Sequence, residues 1–185
     1  INTHNKSCMF FLKNPHLDLT KESIETTRCL LLPFSKKSWE FIEKVREEFL
    51  LANRNLWISP FTPTFEEEAR FFDDMIEKIE NREVFECYIF DKLTKEFLGC
   101  AWLNSPEEKR MNIGIWIKPD KQGKWYGTEV YEALICWARE HTVYSYLKHS
   151  NNPENRASAE LAKRFWGILQ DEKTENNNDI YHIPF

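Results

Sequence analysis

The chain has 185 residues, which fits one domain of ordinary size, and 42% of them are hydrophobic, enough for a substantial core. Its formal net charge is -5 and its charged residues are interspersed, so we expect no general nucleic-acid binding. The five cysteines form no C-x-x-C pair, and no apolar run approaches the roughly 20 residues that span a bilayer. We therefore expect a cytoplasmic protein with reduced thiols, no membrane association and no metal.

The first part of the sequence indicates an N-terminal extension that is followed by a single domain. Residues 1–25 are polar and weakly periodic, and we interpret them as an N-terminal extension of a domain that covers residues 26–185. A short apolar strand around Cys29 opens the domain, and a proline ends it. A helix capped by Ser35 or Ser38 is predicted next, followed by a loop over residues 53–63.

A second helix and three strands are predicted in the middle of the chain. Thr64 and Glu67 have the spacing of a capping box, which marks the start of a helix. Strands follow over residues 84–90 and 96–104, and a third contains Ile113. Because only short turns separate these strands, we expect an antiparallel meander.

The segment after the third strand combines a turn with a helix start. Ile113, Ile115 and Ile117 alternate along the strand, and the turn Gln122–Gly127 precedes a helix from Thr128. The helix has one apolar face, formed by Val130, Ala133, Leu134, Trp137 and Ala138. A glycine-containing turn at a helix N-terminus can bind an anionic phosphate, because unpaired N–H groups and the helix dipole both favour negative charge there. A plain connection that binds nothing is the alternative.

The remainder of the chain alternates between strands and one further helix. A strand is predicted over residues 143–150, and Asn155 has the chemistry of a helix cap. The helix after it ends near Gly167, and two strands follow over residues 168–172 and 180–185.

Five short motifs stand in a fixed order along the chain. They are Thr27–Phe34, Ile113–Ile117, Gln122–Gly127, Asn155–Ser158 and Tyr181–Pro184. In this order they resemble the GNAT N-acetyltransferase superfamily, especially its Rim-like branch of ribosomal-protein N-terminal acetyltransferases. The third motif is similar to the acetyl-CoA signature Q/R-x-x-G-x-G/A. The resemblance implies an α+β, three-layer α/β architecture, the GNAT acyl-CoA N-acyltransferase fold, with a mixed central sheet of about seven strands flanked by helices.

The resemblance also implies a site for acetyl-CoA as co-substrate. The backbone of Trp116, Ile117 and Lys118 would pair with the pantetheine arm like an extra strand. Asn155 would bind the arm as well as cap its helix, and Ser158 would support that contact or serve as a small packing residue. The residues expected around the pyrophosphate are Gln122, Gly123, Lys124, Trp125, Tyr126, Gly127 and Thr128.

Trp166-Gly167 stands in place of the family's usual Gly-Phe ending of the helix that follows Asn155, and two further residues depart from the family pattern. Trp125 occupies the position of the signature's first glycine, and a tryptophan demands a backbone that an L-residue adopts and room for a large ring. Its ring is expected to point outward against the cofactor, or to alter the pyrophosphate seat. Asn112 stands where branch members often carry a glutamate, and its amide cannot act as a base. Both departures leave open a CoA-binding regulatory module with weak catalysis.

Three residues are the main candidates for moving protons. His149 has an intrinsic pKa suited to a general base and lies near a strand end beside the expected gap in the sheet. Glu86 is a carboxylate alternative, as is Glu108. Tyr126 is a candidate proton donor for the leaving thiolate. For each of them a structural role, as a bonded histidine, a solvent-facing carboxylate or a packed aromatic, is the alternative.

The chemistry of amines favours one class of acceptor. At pH 7, removing a proton costs about 1 kcal/mol for an α-amine and about 4.6 kcal/mol for a lysine amine. We therefore expect direct attack in a ternary complex by a protein or peptide N-terminal α-amine. A small-molecule amine, such as a polyamine, an amino acid or an aminoglycoside, is the alternative. Whether the protein forms a homodimer stays open.

Overall fold

The computed structural model describes residues 11–34, 65–107 and 110–185, so the predicted helix near Ser38 and the loop after it lie outside the described residues. Within these ranges, three helices accompany one eight-stranded sheet. The helices are α1 (Phe65–Glu80), α2 (Tyr126–His141) and α3 (Arg156–Arg164). The strands are β1 (Ile24–Glu25), β2 (Cys29–Pro33), β3 (Val84–Asp91), β4 (Phe97–Glu107), β5 (Arg110–Ile117), β6 (Tyr146–Asn151), β7 (Ile168–Lys173) and β8 (Asp179–Pro184).

The sheet is mixed, with the strand order β1-β2-β3-β4-β5-β6-β8-β7. Strands β3, β4 and β5 pair antiparallel in sequence order, which confirms the predicted meander and fold class. The sheet has eight strands rather than about seven because Ile24–Glu25, within the predicted extension, pairs with β2. Leu19 and Ile24 are buried in the core. The division of the chain at residue 25 stays a prediction.

The sheet opens between β5 and β6. These strands are parallel, and they pair at only two positions, Met111 with Leu147 and Asn112 with Lys148. Beyond Asn112, β5 continues beside β4 as far as Ile117. We call the gap between this part of β5 and β6 the wedge.

The edge of β5 that borders the wedge carries peptide groups aimed away from β4. The Lys118 N–H donates to the carbonyl of Leu98 in β4, at 2.8 Å. Because successive backbone groups of a strand point to opposite sides, the peptide groups of Ile115 and Ile117 face the wedge. The wedge therefore offers hydrogen-bonding groups to an extended ligand.

Helix α2 covers one face of the sheet. Val130, Leu134 and Ala138 are fully buried, and the Trp137 ring stacks on Phe85 of β3 with centroids 4.5 Å apart. The predicted apolar face is thus confirmed, although the helix begins at Tyr126 rather than two residues later. The described helices include none long and apolar enough to cross a membrane.

Candidate active site

A cavity of about 470 Å³ lies where the wedge meets the N-terminus of α2. The end of β5, the loop before α2 and one side of α3 form its walls. Lys118 and Lys124, two of the predicted cofactor residues, are not part of its lining. The predicted cofactor residues that do line it are Trp116, Ile117, Gln122, Gly123, Trp125, Tyr126, Gly127, Thr128, Asn155 and Ser158.

The N-terminus of α2 presents backbone donors to this cavity. The Glu129 N–H donates to the Trp125 carbonyl at 3.1 Å, which is the first bond of the helix. The N–H groups of Tyr126, Gly127 and Thr128 come before it and therefore lack an acceptor within the helix. Since all three residues line the cavity, the arrangement suits a phosphate or pyrophosphate. It fits the pyrophosphate of acetyl-CoA.

Trp125 has an unusual backbone. Its φ of 68° and ψ of 4° lie in the left-handed region, so the expectation that a tryptophan here requires an ordinary L-residue backbone was wrong. The side chain is 60% exposed, and the Arg164 guanidinium carbon lies 4.6 Å from the ring centroid. This is the distance of a cation–π contact. Because both residues line the cavity, the contact connects the loop before α2 with α3 in the cavity wall.

Side chains hold the loop before α2 in place. The Gln122 side-chain amide donates to the Ile117 carbonyl at 2.9 Å, which ties the loop to the end of β5. The Tyr126 hydroxyl donates to Asp91 at 3.0 Å, and this bond raises the pKa of Tyr126. With its hydroxyl directed to the β3–β4 turn, Tyr126 has its proton engaged in this structure. Its role as proton donor stays a prediction.

An ion pair that sequence reasoning missed joins β2 to α2. The Arg28 Nε donates to Glu129 at 2.7 Å, and the Arg28 backbone N–H and the Thr26 hydroxyl donate to the other carboxylate oxygen. Burial acts to raise the pKa of Glu129, but these donors together outweigh it and the pKa is lowered. Arg28 also donates to the Lys124 carbonyl at 3.0 Å. The network therefore fixes the loop residue next to Trp125.

Asn155 and Ser158 form the start of α3. The Asn155 side chain accepts from the Ser158 N–H at 3.1 Å, so Asn155 is a helix cap. The Ser158 hydroxyl is 2.8 Å from the His149 Nε2. Cofactor contact by either residue stays a prediction.

His149 is buried between α2 and α3. Its side chain is 4% exposed, and the Nδ1 lies 2.8 Å from the Tyr131 hydroxyl. Burial lowers the pKa of His149 to about 4, so the ring is neutral at pH 7. Both ring nitrogens already have partners. The general-base role stays a prediction.

Glu86 lies on the sheet face away from α2, because its neighbour Phe85 packs against Trp137 of that helix. Burial raises the pKa of Glu86 to about 7. Residues at alternate positions share a face, and the register aligns Tyr88 with Cys100 and Cys100 with Trp116. In the part of the chain that the structure describes, the Tyr88 hydroxyl and Trp116 Nε1 are buried without a hydrogen-bond partner, as is the Asn112 Oδ1. This face therefore combines a carboxyl whose pKa is near 7 with buried polar atoms that lack a hydrogen-bond partner.

The described residues offer no metal site, and two of their buried cysteines are poor nucleophiles. Among them, no three His, Cys, Asp or Glu side chains are grouped to hold a metal ion. Burial raises the pKa of Cys87 and Cys100, so both are thiols rather than thiolates at neutral pH. A thiol is a poor nucleophile, and neither cysteine suits covalent catalysis.

Comparisons with known proteins agree with this geometry. RimL, a ribosomal L7/L12 α-N-protein acetyltransferase solved with coenzyme A, has a TM-score of 0.72 and 19% identity over 89% of this chain and 98% of its own. An acetyl transferase from Salmonella typhimurium that modifies the N-terminal serine of ribosomal protein L7/L12 has a TM-score of 0.69 and 20% identity, covering 89% of this chain and 99% of that one. The microcin C7 self-immunity acetyltransferase MccE, solved with acetyl-CoA and AMP, has a TM-score of 0.68 and 20% identity, covering 91% and 99%.

These identities establish a common fold alone. No curated protein sequence matches the chain. The family model of the acetyltransferase (GNAT) domain, however, matches residues 28–165. This chain therefore belongs to the GNAT acetyltransferase family and is an acetyl-CoA-dependent N-acetyltransferase.

Proposed function

We propose that this enzyme transfers the acetyl group of acetyl-CoA to the α-amine of a peptide or protein N-terminus. The observation that carries the proposal is that Glu86 shares the sheet face away from α2 with the unpartnered polar atoms of Tyr88, Trp116 and Asn112. The wedge joins this face to the cavity, because Trp116 belongs to both. An amine on one side would therefore reach an acyl group held on the other.

Each part of the site has a task in this reaction. When bound, acetyl-CoA supplies the thioester whose carbonyl carbon the amine nitrogen attacks, so that a C–N bond forms, the C–S bond breaks and CoA leaves as a thiolate that takes up a proton from solvent. The N–H groups at the start of α2 would hold the pyrophosphate, and the edge of β5 would hold the pantetheine arm. An N–H of Ile115 or Ile117 would stabilise negative charge on the carbonyl oxygen. Glu86 would accept the proton that the amine loses.

The protonation of Glu86 matches an α-amine better than a lysine amine. Its pKa of about 7 leaves roughly half of the molecules with a carboxylate at pH 7. Such a base suits an α-amine, which is already partly neutral there, whereas a lysine amine needs about 4.6 kcal/mol for deprotonation. The two ribosomal-protein acetyltransferases of similar fold act on protein N-termini, which supports the same acceptor class.

Thiol release from acetyl-CoA tests the proposal with three acceptors. The first is a lysine-free peptide with a free N-terminus, the second is the same peptide with a blocked N-terminus and one lysine, and the third is a polyamine. We expect kcat/KM to be at least about tenfold higher for the first peptide. Equal rates for the two peptides would contradict the proposal, and a preference for the polyamine would assign the enzyme to small-molecule amines.

A further inference from the structure

Three side chains from three elements form a hydrogen-bonded chain that ends at the cavity wall. Tyr131 of α2 is fully buried and its hydroxyl lies 2.8 Å from Nδ1 of His149. The other ring nitrogen, Nε2, lies 2.8 Å from the Ser158 hydroxyl. Ser158 lines the cavity. The series of hydrogen bonds thus leads from the core, through a buried imidazole, to the cavity wall.

The Tyr131 hydroxyl determines which nitrogen of His149 carries the proton. In the described part of the chain, His149 is the hydrogen-bond partner of this hydroxyl. If the hydroxyl donates to Nδ1, then Nε2 carries the proton and donates to the Ser158 oxygen. In the opposite arrangement Nδ1–H donates to Tyr131, and the tyrosine proton is buried without an acceptor, which costs about 1–3 kcal/mol. The first arrangement is therefore favoured.

This tautomer leaves the proton of Ser158 free for the ligand. An oxygen that accepts from Nε2–H keeps its own O–H to donate elsewhere, and the serine lies on the cavity side of the contact. The Ser158 N–H is bonded to the Asn155 side chain, which fixes the backbone at this position. Ser158 thus presents a donor rather than an acceptor to the cavity.

The location of Ser158 identifies the part of the ligand that it faces. Helix α3 runs along the cavity from Ser158 to Arg164, a rise of about 9 Å. Arg164 contacts Trp125 beside the anion-binding start of α2, so Ser158 lies at the far end. His149 comes from β6, the strand that borders the wedge. That end is where the acyl group of a thioester would lie.

We propose that His149 is a positioning residue, locked by Tyr131 as the Nε2–H tautomer, that directs the Ser158 hydroxyl toward the sulfur of the acyl donor. As the C–S bond breaks, negative charge develops on sulfur, and a donor held in place stabilises it without transferring its proton. Burial lowers the pKa of His149 to about 4, which keeps the ring neutral and preserves one tautomer. This inference rests on the proposed acetyl transfer. It gives His149 a role other than the general base predicted from sequence.

Steady-state kinetics of Tyr131→Phe test whether the tyrosine hydroxyl fixes the tautomer of His149. The substitution removes the hydroxyl and keeps the shape of the ring. We expect kcat to fall about tenfold with the KM for acetyl-CoA unchanged, because the donor is lost only where charge develops. In a Ser158→Ala background, Tyr131→Phe is expected to have no further effect on kcat, since both changes act through the same hydroxyl. The matched control is Tyr144→Phe, which removes another hydroxyl bonded to a serine, Ser105 at 3.0 Å, outside the cavity lining. We expect it to keep the wild-type kcat.

His149→Gln and His149→Phe separate positioning from packing. The glutamine can donate to the Ser158 oxygen, and we expect it to retain more of kcat than the phenylalanine, which only fills space. Equal loss in both variants, or a loss confined to KM, would overturn the proposal. So would additive effects of Tyr131→Phe and Ser158→Ala.

Nitrogen-15 NMR of the wild-type imidazole tests the tautomer independently of activity. His149→Gln assigns the signal among the five histidines of the chain, and we expect a proton on Nε2 alone at pH 7. A proton on Nδ1 would overturn the inference. If the wild type releases no thiol with any amine, the proposed function fails; if it is active and Tyr131→Phe keeps full kcat, only the positioning role fails.

Discussion

Two tryptophans hold left-handed backbones where glycine is the usual residue. Trp125 has a φ of 68° and Trp166 a φ of 62°, and each such conformation costs a non-glycine residue on the order of 1 kcal/mol. Trp166 is 82% exposed and is not part of the cavity lining, whereas Trp125 lines it beside Arg164. The strain at Trp125 therefore coincides with a candidate ligand contact. The sequence identified the odd residue, but its backbone depends on the surrounding loop.

Trp125→Asn is predicted to weaken binding of acetyl-CoA about five- to tenfold. Asparagine tolerates the left-handed region, so the loop keeps its shape while the ring is lost, and stacking of a base on an aromatic ring is worth about 1–3 kcal/mol. Calorimetric titration measures the dissociation constant. Acetyl-pantetheine, which has no adenine, is expected to bind both proteins equally. Trp166→Asn is the matched control, and equal weakening in both variants would contradict the prediction.

Glu86→Gln is predicted to change how stability depends on pH. Burial raises the pKa of Glu86 to about 7 from an ordinary value of 4.5, so the folded state binds the proton more tightly than the unfolded state. The stability that this proton contributes is present below pH 4.5 and is lost as pH rises through 7. Between pH 5 and pH 8, the free energy of unfolding of the glutamine variant, measured in urea, is expected to rise relative to that of the wild type by at most about 3 kcal/mol.

The same substitution tests the base. In wild type, kcat is expected to rise with pH through about 7 as the carboxyl ionises, and the variant is expected to be slow at every pH. Glu80→Gln, on the exposed side of α1, is the control for both measurements. A variant with the wild-type pH–rate profile would remove Glu86 as the base.

At the scale of elements, the local spacing of apolar residues predicted individual strands and helices, because that spacing determines which face of an element is buried. The isoleucines of β5 and the apolar stripe of α2 are repeats of two and about 3.6 residues, and both elements are confirmed. The wedge depends instead on where β6 stops pairing with β5, a register between segments separated by the whole of α2. The pairing of Arg28 with Glu129 spans 101 residues. Neither the wedge nor this ion pair can be predicted from the spacing of residues that are close in sequence.

Glu129→Gln is predicted to loosen the connection between β2 and α2. The carboxylate accepts from Arg28 twice and from Thr26, and hydrogen bonds to charged groups are worth about 1.5–3 kcal/mol. With the carboxylate only partly exposed, we expect a loss of about 1–2 kcal/mol in urea unfolding. Because Arg28 also bonds the Lys124 carbonyl, acetyl-CoA binding is expected to weaken as well. Glu132→Gln, one turn along on the exposed side of α2, should change neither quantity.

At the scale of the molecule, an acidic chain contains a site for an anion. The formal net charge is -5, and Lys121, a basic residue of the cavity, is paired with Glu96 at 2.6 Å. The backbone donors at the start of α2 are fixed partial charges in the cavity wall, and they act at short range. We therefore expect binding of the pyrophosphate to be a local property of one helix end.

Acetyl-CoA is predicted to raise the melting temperature of this protein. The cavity combines the end of β5, the start of α2 and α3, which come together only in the folded chain, so the ligand stabilises the folded state selectively. At 100 times the dissociation constant the gain is about 2.7 kcal/mol, and for a domain of this size each kcal/mol raises the melting temperature by about 2–4 °C. We therefore expect a shift of about 5–10 °C in calorimetry. Acetyl-pantetheine, without the pyrophosphate, should shift it less, and no shift with millimolar acetyl-CoA would contradict the assignment of the cavity to the cofactor.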